Sequence, residues 1–152
     1  MVTTTDTNFY LAAFRRIAIK CGLTPATLAS GRRVDFVVTA AAALALAAGR
    51  HYSEAEVNAR LKDWLAGSGA MLATDHVELR RWLVDCRLVA RDGYGRDYWR
   101  PVAPAAWQDV LSALDGVDLA AEAADAREAD ARARTERKAR WKAKSPASVA
   151  PE

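Results

Sequence analysis

From Phe36 to Ala48 the chain runs 13 residues in which Thr39 is the one polar side chain. A helix built from such a run is apolar on nearly every side, so it has to lie in a core with other elements around it. The run is too short for a membrane span, which needs roughly 18 apolar residues or more. Asp35 is read as the N-cap of this helix and Gly49 as its stop. At 152 residues and 51% hydrophobic content, the chain can enclose such a helix without disulfides or metals. The opening MVTTTDTNFY has no basic segment followed by an apolar one, as a signal peptide would. Cys21 and Cys86 lie far apart in apolar periodic stretches and are read as buried free thiols. The expectation is a cytoplasmic protein with no membrane association.

The flanking segments carry their own punctuation. Asp6 or Thr7 can cap a first helix in which Tyr10, Phe14, Ile17 and Cys21 recur at helical spacing, with Gly22 at its end. Thr24-Pro25 opens a short helix that stops by Gly31. Ser53-Glu54-Ala55-Glu56 is a capping box, followed by Val57, Leu61, Trp64 and Leu65 on one face and then Gly67-Ser68-Gly69. Thr74 or Asp75 begins a further helix that reaches Arg87, its buried face being Leu79, Trp82, Leu83 and Cys86. Two short strands, Leu88 to Arg91 and Asp97 to Arg100, enclose the turn Asp92-Gly93-Tyr94-Gly95-Arg96. By strand alternation one of Tyr98 and Trp99 faces the core and the other the surface.

Three helices followed by a hairpin give the fold expected: mainly α with a small β-hairpin, a winged helix-turn-helix-like domain with N- and C-terminal helical extensions. The divisions are 1–34, an N-terminal helical extension; 35–101, the winged-helix-like domain; 102–116, a docking helix on Trp107, Val110, Leu111 and Leu114; and 117–152, a charged helical or disordered tail. The tail lacks large apolar residues, so it has little with which to pack, and Ser145 to Glu152 reads as disordered.

Charge is uneven. The net charge is +3, but Arg132 to Lys144 holds seven basic residues and one acid, so the remainder of the chain is net negative. A second excess, six arginines against three aspartates, lies between Leu79 and Arg100. Acidic partners are sought at these two places.

The segments "YSEAEVN" at Tyr52 to Asn58, "LRRWLVDCRLVAR" at Leu79 to Arg91 and "YWR" at Tyr98 to Arg100 resemble bacterial domain-of-unknown-function family 2087. That family's pattern runs EVN, then D-x-x-x-LRR-x-LVD-x-G-x-L-x-R, then YWR, over about 65 residues here. The resemblance implies a winged-helix-like module, sometimes fused to ArsR-type regulators, and implies no activity. Asp75, Arg80, Arg81 and Asp85 fall on its polar positions. This chain has Arg87 where the family tends to have glycine, and its link Gly67 to Leu72 is longer than usual.

The helix Thr74 to Arg87 can offer His76, Val77, Arg80, Arg81 and Val84 to a major groove, where arginine pairs with guanine. The plainer reading is a solvated face in which Arg81 pairs with Asp85, or Asp85 with Arg91. Arg87 at the helix end, Arg91, Tyr94, Arg96 and Arg100 of the wing can touch phosphate or the minor groove, although an ordinary hairpin explains the same glycines. Arg137, Lys138, Arg140 and Lys142 surround Trp141 in the tail, which suits stacking on bases, contact with an anionic membrane surface, or mere solubility. No phosphate loop, H-E-x-x-H or paired-cysteine pattern occurs, so neither catalysis, cofactor nor metal is expected. The expected function is a DNA-binding regulatory module, with duplex DNA as partner and a homodimer formed through the first helix. The competing classes are a protein-interaction module and an RNA binder acting through the tail.

Overall fold

The computed structural model describes residues 3–24 and 33–144. In chain order its elements are α1 (Thr4–Ala18), α2 (Arg33–Ala43), β1 (His51–Tyr52), α3 (Glu54–Ala66), α4 (His76–Asp85), β2 (Ala90–Arg91), β3 (Tyr98–Trp99), α5 (Ala105–Leu114) and α6 (Leu119–Lys144). The apolar helix α2 is central, with Val37, Val38 and Ala40 to Ala43 all buried. It starts at Arg33 rather than after Asp35, and it ends at Ala43 rather than Ala48. Its last turn tightens there, the amides of Ala45 and Leu46 donating to the carbonyls of Ala42 and Ala43, and this tucks Leu46 inward. The short helix expected between Thr24 and Gly31, like the tail from Ser145, lies outside the described residues.

Around α2 the order α2–β1–α3–α4–β2–β3 makes a winged-helix-like unit. The sheet runs β1-β3-β2, all antiparallel, with Tyr52 opposite Tyr98 and Arg91 opposite Tyr98 on the other edge. β1 is a strand that periodicity did not reveal, since two residues show no alternation. The hairpin strands β2 and β3 are two residues each, shorter than expected. Tyr98 is buried and Trp99 is half-buried and stacked on His51 at 5.1 Å, as alternation requires. Tyr52 is also buried, its hydroxyl accepting from the Ala47 amide at 2.8 Å.

Capping explains where the helices begin. Ser53 and Glu56 form the reciprocal box of α3 at 3.2 and 2.8 Å, and Asp75 caps α4 through the Glu78 amide at 2.8 Å. α1 starts earlier than expected, with Thr3 as N-cap and Asp6 completing a box from N3. It ends at Ala18, which leaves Cys21 outside the helix and exposed, while Cys86 is half-buried. The long link after α3 is held by the N-terminal extension: Leu23 donates to Met71 at 3.0 Å and Ala73 to Leu23 at 2.6 Å, a parallel bridge of Leu23 with Leu72.

α5 lies against α1 and α2, with Trp107 stacked on Phe36 at 3.9 Å. The charged segment after Gly116 is one helix of 26 residues, about 39 Å long. Its first turns do pack, contrary to the expectation from composition. Leu119 and Ala123 are buried, Glu122 pairs with Arg15, and Arg127 donates to the carbonyls of Ala18 (3.0 Å), Gly67 (2.9 Å) and Ser68 (3.4 Å). Those carbonyls close α1 and α3, where a cation is favoured by the helix dipoles. Beyond Ala133 every described side chain of α6 is exposed.

Candidate nucleic-acid interface

α4 and the hairpin of β2 and β3 flank a polar hollow of about 350 Å³ lined by Arg80, Arg81, Val84, Asp85, Arg91 and Tyr98. The hairpin turn is held by local contacts. The Asp92 carboxylate accepts from the amides of Arg96 (2.8 Å) and Asp97 (3.3 Å), and Gly95 supplies the left-handed residue the turn needs, at φ +68°. The Arg96 amide, foremost among these donors, holds Asp92 below the ordinary carboxylate value. His51 Nδ1 lies 2.7 Å from Asp97 and ties the base of the wing to β1.

The two arginines of α4 differ. Arg80 turns inward, with 14% of its side chain exposed, and donates to Asn58 Oδ1 at 2.5 Å and Glu54 Oε1 at 3.2 Å beneath the Tyr98 ring. It is therefore bound into the α3–α4–sheet junction and is not positioned to read a base. Arg81 is exposed and has no ion pair among the described residues; neither the Arg81–Asp85 pair nor the Asp85–Arg91 pair is formed. Arg91 and Arg87 are likewise exposed and unpaired among the described residues, and Arg96 lies 5.8 Å from the ring of the exposed Tyr94. His76 is half-buried in the first turn of α4, beside the acidic Asp75 and Glu78. Arg100 is drawn away from the wing face, donating to the Leu46 carbonyl at 3.1 Å.

α4 ends at Asp85 and not at Arg87, in a Schellman turn: Leu88 donates to Leu83 and Arg87 to Val84, both at 3.0 Å. Arg87 occupies the left-handed C′ position at φ 62°, the one non-glycine residue with positive φ among the described residues. The turn aims Leu88 and Val89 into the core and starts the wing. Beside it, burial first and the Asp85 charge second push the Cys86 thiol up from its ordinary value.

Arg137, Lys138, Arg140 and Lys142 stand on the exposed part of α6 around Trp141, itself 74% exposed. Among the described residues no cluster of three or more His, Cys, Asp or Glu side chains is placed to hold a metal, and no helix is long and apolar enough to cross a membrane.

The element order and the cleft between α4 and the wing define a winged-helix-like protein. Residues 27–100, which include everything from α2 to β3, match the family described as "Uncharacterized protein conserved in bacteria (DUF2087)". Helices α1, α5 and α6 lie outside the match. No curated protein and no solved structure matches the chain.

Proposed function

We propose that this protein is a non-catalytic, duplex-DNA-binding regulatory module that grips the phosphate backbone between α4 and the wing. The observation that carries the reading is the pair Arg81 and Arg91, exposed on the two walls of one hollow and without carboxylate partners among the described residues. An unpaired guanidinium suits a phosphate oxygen in a planar, bidentate fashion. The acids at the start of α4, Asp75 and Glu78, disfavour deep entry of that end into a groove, so backbone contact is preferred to base reading. Arg87, Arg96 and the cations of α6 add sequence-independent attraction. Dimerisation through α1 fits the same reading, since Phe9 is 47% exposed there and a two-fold dimer doubles the contacts. Fluorescence anisotropy with a labelled duplex tests the proposal. With about 5 phosphates contacted, log K falls against log salt with a slope of about −4 to −5. Absence of binding at low salt and tens of micromolar protein contradicts it.

A further inference from the structure

The hollow between α4 and the wing holds more than its two exposed arginines. Tyr98, on the central strand, forms part of its lining and is 1% exposed. The Tyr98 hydroxyl makes no hydrogen bond among the described residues. Its oxygen is nevertheless not sealed off, as the Trp64 indole nitrogen is, so the little of Tyr98 that is open includes its donor. Arg91 reaches the same place: a Cβ on Gly95 would lie 3.5 Å from the Tyr98 hydroxyl and 3.9 Å from Arg91 Nη1. Asp85, also in the lining, is exposed and forms no ion pair among the described residues. Arg80, by contrast, is taken up by Glu54 and Asn58.

Two guanidinium donors, a phenol donor and a carboxylate acceptor thus line one space, none of them partnered among the described residues. They stand on α4, β2 and β3, so the donors come from three elements. A planar carboxylate offers two oxygens in one plane, whereas a phosphoryl group offers three around an axis, each able to take a donor. An ionised Asp85 can only accept, so a fully deprotonated anion is opposed by it, and the ligand that satisfies it brings a proton of its own. Phosphate monoesters can, because their second ionisation falls at about pH 6. A backbone phosphodiester has two free oxygens and no proton, so it suits the arginines and leaves Tyr98 and Asp85 unused.

We propose that this hollow takes the end group of a phosphate monoester in its singly protonated form, with Arg81, Arg91 and the Tyr98 hydroxyl donating to its oxygens and its P–OH donating to Asp85. The inference rests on the preceding reading for the two arginines as phosphate ligands and adds the form of phosphate preferred. A free monoester in the hollow occupies the arginines that would hold a duplex, and so competes with it.

The test is a titration of the full-length ¹⁵N-labelled protein at about pH 5, where methyl phosphate carries one charge and one proton. Methyl sulfate has the same shape and charge and no proton to give. Methyl phosphate should shift the Arg81 and Arg91 side-chain Nε resonances saturably. It should bind about tenfold more tightly than methyl sulfate, as a hydrogen bond to a charged group implies. Asp85→Asn should bring the two affinities together, because an amide both accepts and donates. Tyr98→Phe should weaken methyl phosphate about fivefold without lowering the melting temperature, since the hydroxyl removed is unbonded among the described residues. Tighter binding of a 5′-phosphorylated duplex than of its 5′-hydroxyl twin would assign the site to nucleic-acid ends, and displacement of both alike by methyl phosphate to a free small monoester. No saturable shift at about 10 mM methyl phosphate, equal affinity for methyl sulfate, or full affinity in a folded Tyr98→Phe protein overturns the proposal. A duplex bound by a protein that ignores methyl phosphate removes this inference and leaves the duplex reading standing; methyl phosphate binding without duplex binding does the reverse.

Discussion

The Arg80 guanidinium sits 5.5 Å from the centre of the Tyr98 ring, and from there it reaches Asn58 and Glu54 on α3. One side chain of α4 thus ties α3 to the central strand β3. Removing it leaves the Asn58 acceptor half-buried and unpaired. Arg80→Ala should cost about 1–3 kcal/mol in a urea melt, whereas Arg81→Ala, whose side chain is exposed and unpaired among the described residues, should change stability by less than about 0.5 kcal/mol. Equal losses in the two variants would contradict the division of roles.

Arg87 holds a conformation that suits glycine. A residue with a Cβ in the left-handed region costs about 1 kcal/mol, only partly offset by the extra freedom glycine gives the unfolded chain. Arg87→Gly should therefore raise stability by about 0.5 kcal/mol, and Arg87→Val should lower it clearly, because β-branching worsens the strain. A destabilised glycine variant would mean that the arginine side chain makes a contact worth more than the strain.

The C-terminal helix divides at Arg127. Arg127→Ala uncaps carbonyls of α1 and α3 and should cost about 1–2 kcal/mol. Deleting residues 132–152 removes exposed side chains except for the half-buried Ala133 among those described, and should leave the melting temperature within a few degrees while making the salt slope for DNA shallower. Thermal melts of the two proteins separate docking from the solvated arm.

Asp92 links the wing to pH. Its carboxyl titrates below the ordinary 3.8 because the Arg96 and Asp97 amides favour the charged form. The stabilisation is thus complete above that ordinary value and is lost as pH falls through the lower, folded one. Amide resonances of Arg96 and Asp97 should move together in that acid range. Asp92→Asn keeps an acceptor without the titration and should remove the coupled shift.

Much of the winged-helix unit was legible locally. Ser53 with Glu56, Asp75 as a cap, and the alternation that buries Tyr98 all act over three or four residues, the range at which sequence patterns speak. What escaped was non-local. β1 exists only because β3 pairs with it, and α6 docks through Arg127 and three carbonyls, a signal that hydrophobic periodicity does not contain. The arginines of α4 show the same limit. A neighbour four residues away suggested Arg81 with Asp85, but the partners formed are Glu54 and Asn58, 26 and 22 residues before Arg80. The left-handed conformation of Arg87 was not readable from the residue itself, because it is set by the Schellman hydrogen bonds from Arg87 and Leu88 back to Val84 and Leu83.

The central claim, that Arg81 and Arg91 together hold duplex backbone, is tested most directly by charge reversal at both positions. The Arg81→Glu/Arg91→Glu protein should melt like the parent, since neither side chain makes an ion pair among the described residues. Titrated against the same duplex at low salt, it should bind at least about tenfold more weakly, with a log–log salt slope shallower by about 2. Unchanged affinity and slope in a normally folded double variant would contradict the account.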